Sequence, residues 1–265
     1  MNFDIEDDGT GPVLLFIPGS YSTCSAWKGV QRALKGTYRT ITVSLPGYGG
    51  SGEVRCGAVA DMSLMADFLV GVVNHIGDDV HLVGHSFGGL TAFASVLSRK
   101  VSPLSLITFE GNPVFSRRDD GKFSWEADIA AMKDRFETAF AAGDPDAAGL
   151  IIDFWSQPGV FQAMPEPVQN YCRSTACTNV LDWRSASGFV PFISEYASIE
   201  APCTIVRGEH AIQPMIDISD GIARQIPDAR LRVVSGAGHF LISTHSRSCA
   251  AIIDDHMANY ATANH

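Results

Sequence analysis

Residues 80–89 read Val-His-Leu-Val-Gly-His-Ser-Phe-Gly-Gly, and this stretch decides the fold. A short apolar run leads into the serine, and a helix-forming stretch follows at 90–99. A serine can stand on so sharp a strand-to-helix turn only if the residues two positions away are small enough for strand and helix to pass closely. Gly84 and Gly88 meet that condition. The pattern therefore predicts a nucleophile elbow that exposes the hydroxyl of Ser86.

Short apolar runs recur along the rest of the chain, each bounded by Gly, Pro or polar residues, as is typical of buried parallel strands. They lie at 13–17, 40–45, 80–83, 104–109, 203–207 and 231–234. Helical patterns occur at 62–75, 90–99, 216–226 and 249–259. Because strand and helix alternate, we predict an α/β fold with a mostly parallel sheet and helices on both faces.

One segment departs from this alternation. Between residues 113 and 198 no buried-strand pattern appears, and helical patches alternate with joints that contain Pro or Gly. An insertion of this length is too long for an ordinary loop. We predict a core domain of residues 1–112 and 199–265, with 113–198 as a helical cap. The cap would cover the C-terminal edge of the sheet, where open α/β sheets bind ligands.

The composition restricts the partners. The chain has 265 residues, with 19 Lys and Arg against 29 Asp and Glu, a formal net charge of −10 that disfavours nucleic acid and anionic membrane. The first ten residues carry four acids and no apolar core of a signal peptide. Six scattered cysteines are expected to be free thiols. We expect a cytoplasmic protein with a small-molecule substrate, and the sequence leaves a homodimer open.

A serine hydroxyl is a weak nucleophile, so it requires a base within hydrogen-bond reach and donors for an oxyanion. His239, on a loop between the last apolar strand and the last helix, is the best candidate base. The backbone N–H of Phe87 begins a helix and is one predicted oxyanion donor. The strand-to-glycine turn at 16–21 supplies a second, Ser20 as first choice and Tyr21 as alternative.

Four motifs together resemble the α/β-hydrolase superfamily in their order and spacing. They are Pro-Gly-Ser at 18–20, Leu-Pro-Gly-Tyr-Gly-Gly-Ser at 45–51, Gly-His-Ser-Phe-Gly-Gly at 84–89 and Gly-His at 238–239. The resemblance covers nearly the whole chain, with the cap as its variable part. It implies an α/β-hydrolase fold and a Ser-His-acid triad that works without a cofactor. By this resemblance, Ser86 is the nucleophile and His239 the base.

The acid is where the chain departs from that pattern. In most relatives an Asp follows the strand at 203–207, and here Ala211 holds its position. Some branches carry the acid at the end of the strand after the nucleophile helix, where this chain has Glu110. Glu110 is therefore the first choice for orienting the base, although a carboxylate there could instead anchor the first turn of the cap. Glu209 and Asp217 are the alternative acids, and a chain without an acid also stays open.

A serine nucleophile favours acyl transfer to water, so the leading hypothesis is hydrolysis of a carboxylic ester-like bond in a small or medium apolar substrate. A carbon–carbon bond hydrolase or a thioesterase would use the same triad. A weakly active or inactive ligand-binding homologue is the alternative from another class, motivated by Ala211. We expect no metal, because Glu209 and His210 are adjacent in an extended stretch and would point apart.

Overall fold

The computed structural model describes residues 2–56 and 60–263. In this part of the chain seven strands form one sheet, in the order β1-β3-β2-β4-β5-β6-β7. The strands are β1 (Ile5–Gly9), β2 (Val13–Ile17), β3 (Arg39–Val43), β4 (Val80–His85), β5 (Ser105–Phe109), β6 (Cys203–Gly208) and β7 (Ala229–Val234). Strand β1 runs antiparallel to β3, and every other neighbouring pair is parallel. The predicted mostly parallel sheet is confirmed.

The six predicted strands are all present, with ends that differ by one or two residues. Strand β1 was missed because it reads Ile-Glu-Asp-Asp-Gly and only Ile5 is even partly buried. It lies at the edge of the sheet, where charged side chains protect a strand from pairing with other molecules. Its backbone is paired with β3, and this pairing leaves no apolar signal in the sequence.

The α-helices of the described residues follow in chain order. They are α1 (Lys28–Gln31), α2 (Met62–Ile76), α3 (Phe87–Leu97), α4 (Glu126–Ala141), α5 (Ala147–Trp155), α6 (Val160–Ala163), α7 (Glu166–Ser174), α8 (Ala176–Gly188), α9 (Gln213–Gln225), α10 (Leu241–Thr244) and α11 (Ser246–Ala263). Short 3-10 helices occupy Cys24–Trp27 and Ile193–Ser198. Helix α3 begins at Phe87, as the elbow predicts, and the helix-forming run in the sequence starts only at residue 90 because two glycines lower the helical propensity of the first turn.

The sheet lies between two layers of helices. Side chains alternate across it, so Leu15 and Ile17 of β2 pack in one core cluster and Leu14 and Phe16 in the other. Helices α2, α3 and α9 contribute to the first cluster, and α11 contributes to the second. The central strands β2, β4 and β5 are buried along their whole length. No helix among the described residues is long and apolar enough to cross a membrane.

Helices α4 to α8 all lie between β5 and β6, within the predicted cap segment 113–198. The two ends of this segment lie side by side. The N–H of Arg117 donates to Pro191 O at 2.8 Å, and the N–H of Ile193 donates to Arg117 O at 2.8 Å. This pairing lets the helices leave the sheet and return to it at one place. The division into core and cap as separate domains stays a prediction.

Candidate active site

Ser86 lies on the turn between β4 and α3. Its backbone has φ of 53° and ψ of −123°, a conformation that residues other than glycine rarely adopt. Close packing imposes the turn. A Cβ atom on Gly84 would lie 2.7 Å from Gly89 Cα, and one on Gly88 would lie 2.3 Å from Ile17 O. Both predicted glycines are therefore required by the approach of strand and helix. Strained positions of this kind cost about 1–3 kcal/mol and cluster at functional sites.

The structure brings together the three residues that the sequence nominated. His239 Nε2 lies 3.0 Å from Ser86 Oγ, and His239 Nδ1 lies 2.7 Å from Glu110 Oε2. All three side chains are buried, and Glu110 has no exposed surface. Because a carboxylate can only accept, Nδ1 carries the ring proton and Nε2 is left to accept from the serine hydroxyl. The arrangement therefore presents a base to the Ser86 hydroxyl.

Glu110 is fixed from two sides. Its Oε1 accepts from the N–H of Gly208 at the end of β6, at 2.8 Å, while Oε2 faces His239. Burial raises the pKa of Glu110, but the hydrogen bond and charge of His239 and the Gly208 N–H lower it by more. The pKa of Glu110 therefore lies below its usual value, and the carboxylate stays ionised next to the imidazole.

The alternative acids lie elsewhere. Glu209 is exposed and accepts from Ser235 Oγ at 2.8 Å and from the N–H of Gly236 at 2.7 Å, so it braces the loop that carries the histidine. Asp217 accepts from Trp125 Nε1 at 2.9 Å. Within the described residues, the structure gives neither carboxylate a hydrogen bond to His239, and the position of the missing family Asp is held by the buried, apolar Ala211.

Two neighbours of the serine complete its surroundings. His85 Nε2 donates to the backbone oxygen of His239 at 2.9 Å, and burial, with His239 beside it, lowers the pKa of His85 to about 3. His85 is thus neutral and holds the loop that carries His239. Asn112, which the sequence reasoning did not nominate, points its Nδ2 at Ser86 Oγ at 3.4 Å. Its place just past β5, near Glu110, was the available signal.

The predicted oxyanion donors lie around the serine. A Cβ atom on Gly19 would lie 2.9 Å from Ser86 Cβ, so the turn after β2 passes directly beside the elbow. Ser20, Tyr21 and Phe87 all line the same cavity. Both residues therefore stay candidates for the second donor, with Ser20 the first choice.

A buried polar cluster next to this turn was not expected from the sequence. Asp182, on the cap helix α8, accepts from Ser20 Oγ at 2.6 Å, Tyr48 Oη at 2.7 Å and Arg55 Nη1 at 2.6 Å. Burial raises the pKa of Asp182, while Arg55 and the two hydroxyls oppose the rise. Asp182 joins the cap segment to three parts of the core, and it holds the side chain of the candidate oxyanion residue.

The serine opens into a small cavity of about 100 Å³. The cap helices α5 and α8 supply much of its apolar wall. Trp155 stacks on the His239 ring with centroids 5.4 Å apart, and Trp183 stacks in turn on Trp155 at 6.1 Å. Among the described residues, no group of three or more His, Cys, Asp or Glu side chains is placed to hold a metal ion.

A parallel sheet with a serine on such an elbow, bonded to a histidine from the loop after the last strand, is the arrangement of the α/β hydrolases. Residues 14–252 match the model of the alpha/beta hydrolase family, and the chain belongs to that family. The predicted fold and family are thereby confirmed, and with them hydrolase activity in general terms.

Individual relatives are distant but span most of the chain. The pimeloyl-[acyl-carrier protein] methyl ester esterase of Nitrosomonas europaea is 23% identical over 248 residues, covering 89% of this chain and 91% of that protein. The 2-(acetamidomethylene)succinate hydrolase of Mesorhizobium japonicum is also 23% identical over 248 residues, covering 91% and 86%. A solved structure of a thermophilic esterase from Thermogutta terrifontis has a TM-score of 0.76 at 25% identity, covering 97% and 93%.

Proposed function

We propose that the protein is a serine hydrolase that cleaves a carboxylic ester-like bond through an acyl-enzyme. The observation that carries this proposal is the pair of contacts made by His239, 3.0 Å to Ser86 Oγ and 2.7 Å to Glu110, at the floor of a cavity. The esterases among its relatives agree with this chemistry. Binding alone would give no reason for a strained serine aligned with a buried base.

The proposed reaction has two halves, acylation of the serine and hydrolysis of the acyl-enzyme. His239 Nε2 takes the Ser86 proton as Oγ bonds to the substrate carbonyl carbon, and the N–H groups of Phe87 and Ser20 hold the resulting oxyanion. His239 then gives this proton to the leaving alkoxide, and an alcohol departs. A water molecule, deprotonated by the same nitrogen, attacks the acyl-enzyme. Collapse of the second oxyanion returns the serine and releases a carboxylic acid.

The electrostatics favour the protonated histidine that forms midway. Glu110 stays ionised and faces Nδ1, so it stabilises the imidazolium. His85, whose ring centroid is 5.1 Å from that of His239, stays neutral and adds no opposing charge. The ring of Trp155, stacked on His239, offers its electron-rich face to the same cation.

The ligand-binding alternative rested on Ala211, since a missing acid would disable the histidine. Glu110 lies 2.7 Å from His239, so the missing acid at position 211 is no longer an argument for a protein that only binds a ligand. A thioesterase or a carbon–carbon bond hydrolase would need the same three residues. Esters, thioesters and vinylogous diketones therefore belong in one substrate screen.

A fluorophosphonate probe tests the proposal without knowledge of the substrate. We expect intact mass to show one adduct on the wild type, none on Ser86→Ala, and one on Ser243→Ala, a matched control because Ser243 also lines the cavity. An unlabelled, folded wild-type protein would contradict the proposal. An adduct that persists on Ser86→Ala would move the nucleophile to another residue.

A further inference from the structure

The cavity has an apolar side and a polar corner, which we define by Ser20, Asn179 and Asp182. Asn179 lies on α8 with 2% of its surface exposed. Its Nδ2 donates to Asp182 Oδ2 at 3.3 Å, whereas Oδ1 is buried and has no hydrogen-bond partner among the described residues. Such buried polar atoms are rare in folded proteins and call for an explanation, a ligand being one.

The neighbouring carboxylate fixes which way this amide faces. Asp182 already accepts from Ser20, Tyr48 and Arg55, and an ionised carboxylate can only accept. The Asn179 side chain must therefore turn its NH₂ group to Asp182 and its carbonyl oxygen away. Asn179 lines the cavity, so the polar corner places an acceptor without a partner beside it.

The charge of the lining restricts what can enter. Among the described residues that line the cavity, Asp182 is the single acid, and none is Lys or Arg. A carboxylate on the substrate would lose its water without meeting a cation, close to an anion already present. The apolar side, formed by residues such as Val114, Ile151, Ile152 and Trp155, takes hydrocarbon.

We propose that Asn179 Oδ1 is a specificity determinant that selects uncharged substrates bearing a hydrogen-bond donor, a hydroxyl or an amide N–H, away from the scissile carbonyl. This inference rests on the proposed hydrolase function. It narrows the apolar substrate expected from the sequence to a hydrocarbon chain with one polar, uncharged group. It also separates this chain from a hydrolase that would recognise a dicarboxylate.

The test compares matched esters that differ only at the far end of the chain. In the acyl series, the substrates are p-nitrophenyl esters of six- and eight-carbon acids whose far end is a methyl, hydroxyl or carboxylate group. In the alcohol series, they are acetate esters of six- and eight-carbon alcohols whose far end is a methyl or hydroxyl group. We expect kcat/KM to favour hydroxyl over methyl by about three- to tenfold in at least one series. The carboxylate esters should be the slowest of the acyl series.

Asn179→Leu removes the acceptor at similar size and should reverse the preference to methyl, while Ile151→Val, on the apolar side, should keep the preference for hydroxyl. Asn179→Ala gives the same comparison should the leucine variant fail to fold. If the probe labels Ser86 and methyl is preferred in every series by wild type and variants alike, the polar corner is not a recognition site although the hydrolase function stands. An unlabelled Ser86 with no ester turned over would instead contradict the hydrolase function itself.

Discussion

Glu110 and His239 are 129 residues apart in the sequence, and their side chains meet at 2.7 Å. Glu110 directly follows β5 in a left-handed backbone conformation, with φ of 45°. That turn directs the carboxylate across the end of β6, where Gly208 also donates to it. This carboxylate thus reaches the histidine from the end of β5, whereas the Asp expected from the family resemblance would follow β6.

Glu110→Gln should lower kcat by about 10³-fold or more, because the amide supports the wrong tautomer of His239 and cannot stabilise its charged form. Ester hydrolysis under saturating substrate measures the effect, with thermal unfolding to show that the fold is intact. Glu209→Gln is the matched control, since Glu209 is exposed and hydrogen-bonded to the same loop. A loss below tenfold in a folded Glu110→Gln would move the role to another residue.

Asp182→Asn should destabilise the protein by about 1–3 kcal/mol, because it weakens a buried hydrogen-bond cluster while Glu53 still pairs with Arg55. It should also lower kcat, since Ser20 loses its anchor. Urea denaturation measures the free energy of unfolding. Asp120→Asn, in an exposed ion pair with Arg118, should change stability by less than about 1 kcal/mol.

Gly88→Ala should cost more than the usual 1–3 kcal/mol of overpacking, because the added Cβ would meet the backbone oxygen of Ile17 at 2.3 Å. Backbone cannot give way as a flexible side chain can, so the elbow must shift and activity should fall with stability. Gly188→Ala is the control, since a Cβ atom there meets nothing within 4 Å. Equal unfolding midpoints for the two variants would argue against the packing seen at the elbow.

The free energy of unfolding should fall as the pH drops from about 6.5 to about 4. His81 and His256 flank Ser105, each 2.7 Å from its Oγ, and burial lowers the pKa of each to about 4. In the unfolded chain both protonate near pH 6.5, so in this window the unfolded state binds more protons. Their contribution is fully present above pH 6.5 and is lost as the pH falls toward 4.

Urea denaturation at several pH values checks this expectation. His256→Gln should make the free energy of unfolding vary less steeply with pH, because the amide can hydrogen-bond but does not titrate. It should not abolish the dependence, since His81 and His85 remain neutral and buried. His75→Gln, at an exposed site on α2, should leave the dependence unchanged. An identical pH dependence in wild type and His256→Gln would show that this histidine is not the cause.

Local chemistry made several features readable from the sequence. Gly84 and Gly88, set between an apolar run and a helix-forming stretch, predict the tight turn at Ser86, because steric contact there is short-range and depends on the immediate neighbours. Buried strands are likewise apolar along their own length, so they can be recognised one at a time. Glu110 and His239 could be nominated because each follows a recognisable strand and parallel strands present their C-terminal ends at one edge of the sheet.

The sequence alone left open the partner of the histidine and the lining of the cavity. Glu110, Glu209 and Asp217 are all acids near strand ends, and only the folded distances place Glu110 against His239. The bond from Ser20 to Asp182 spans 162 residues, and the unpaired oxygen of Asn179 depends on that neighbour. Contacts between a core loop and a cap helix leave no periodic trace, because they depend on how separate elements pack. The sequence therefore determined the elbow and the buried strands, and the tertiary structure decided which carboxylate meets His239 and formed the polar corner.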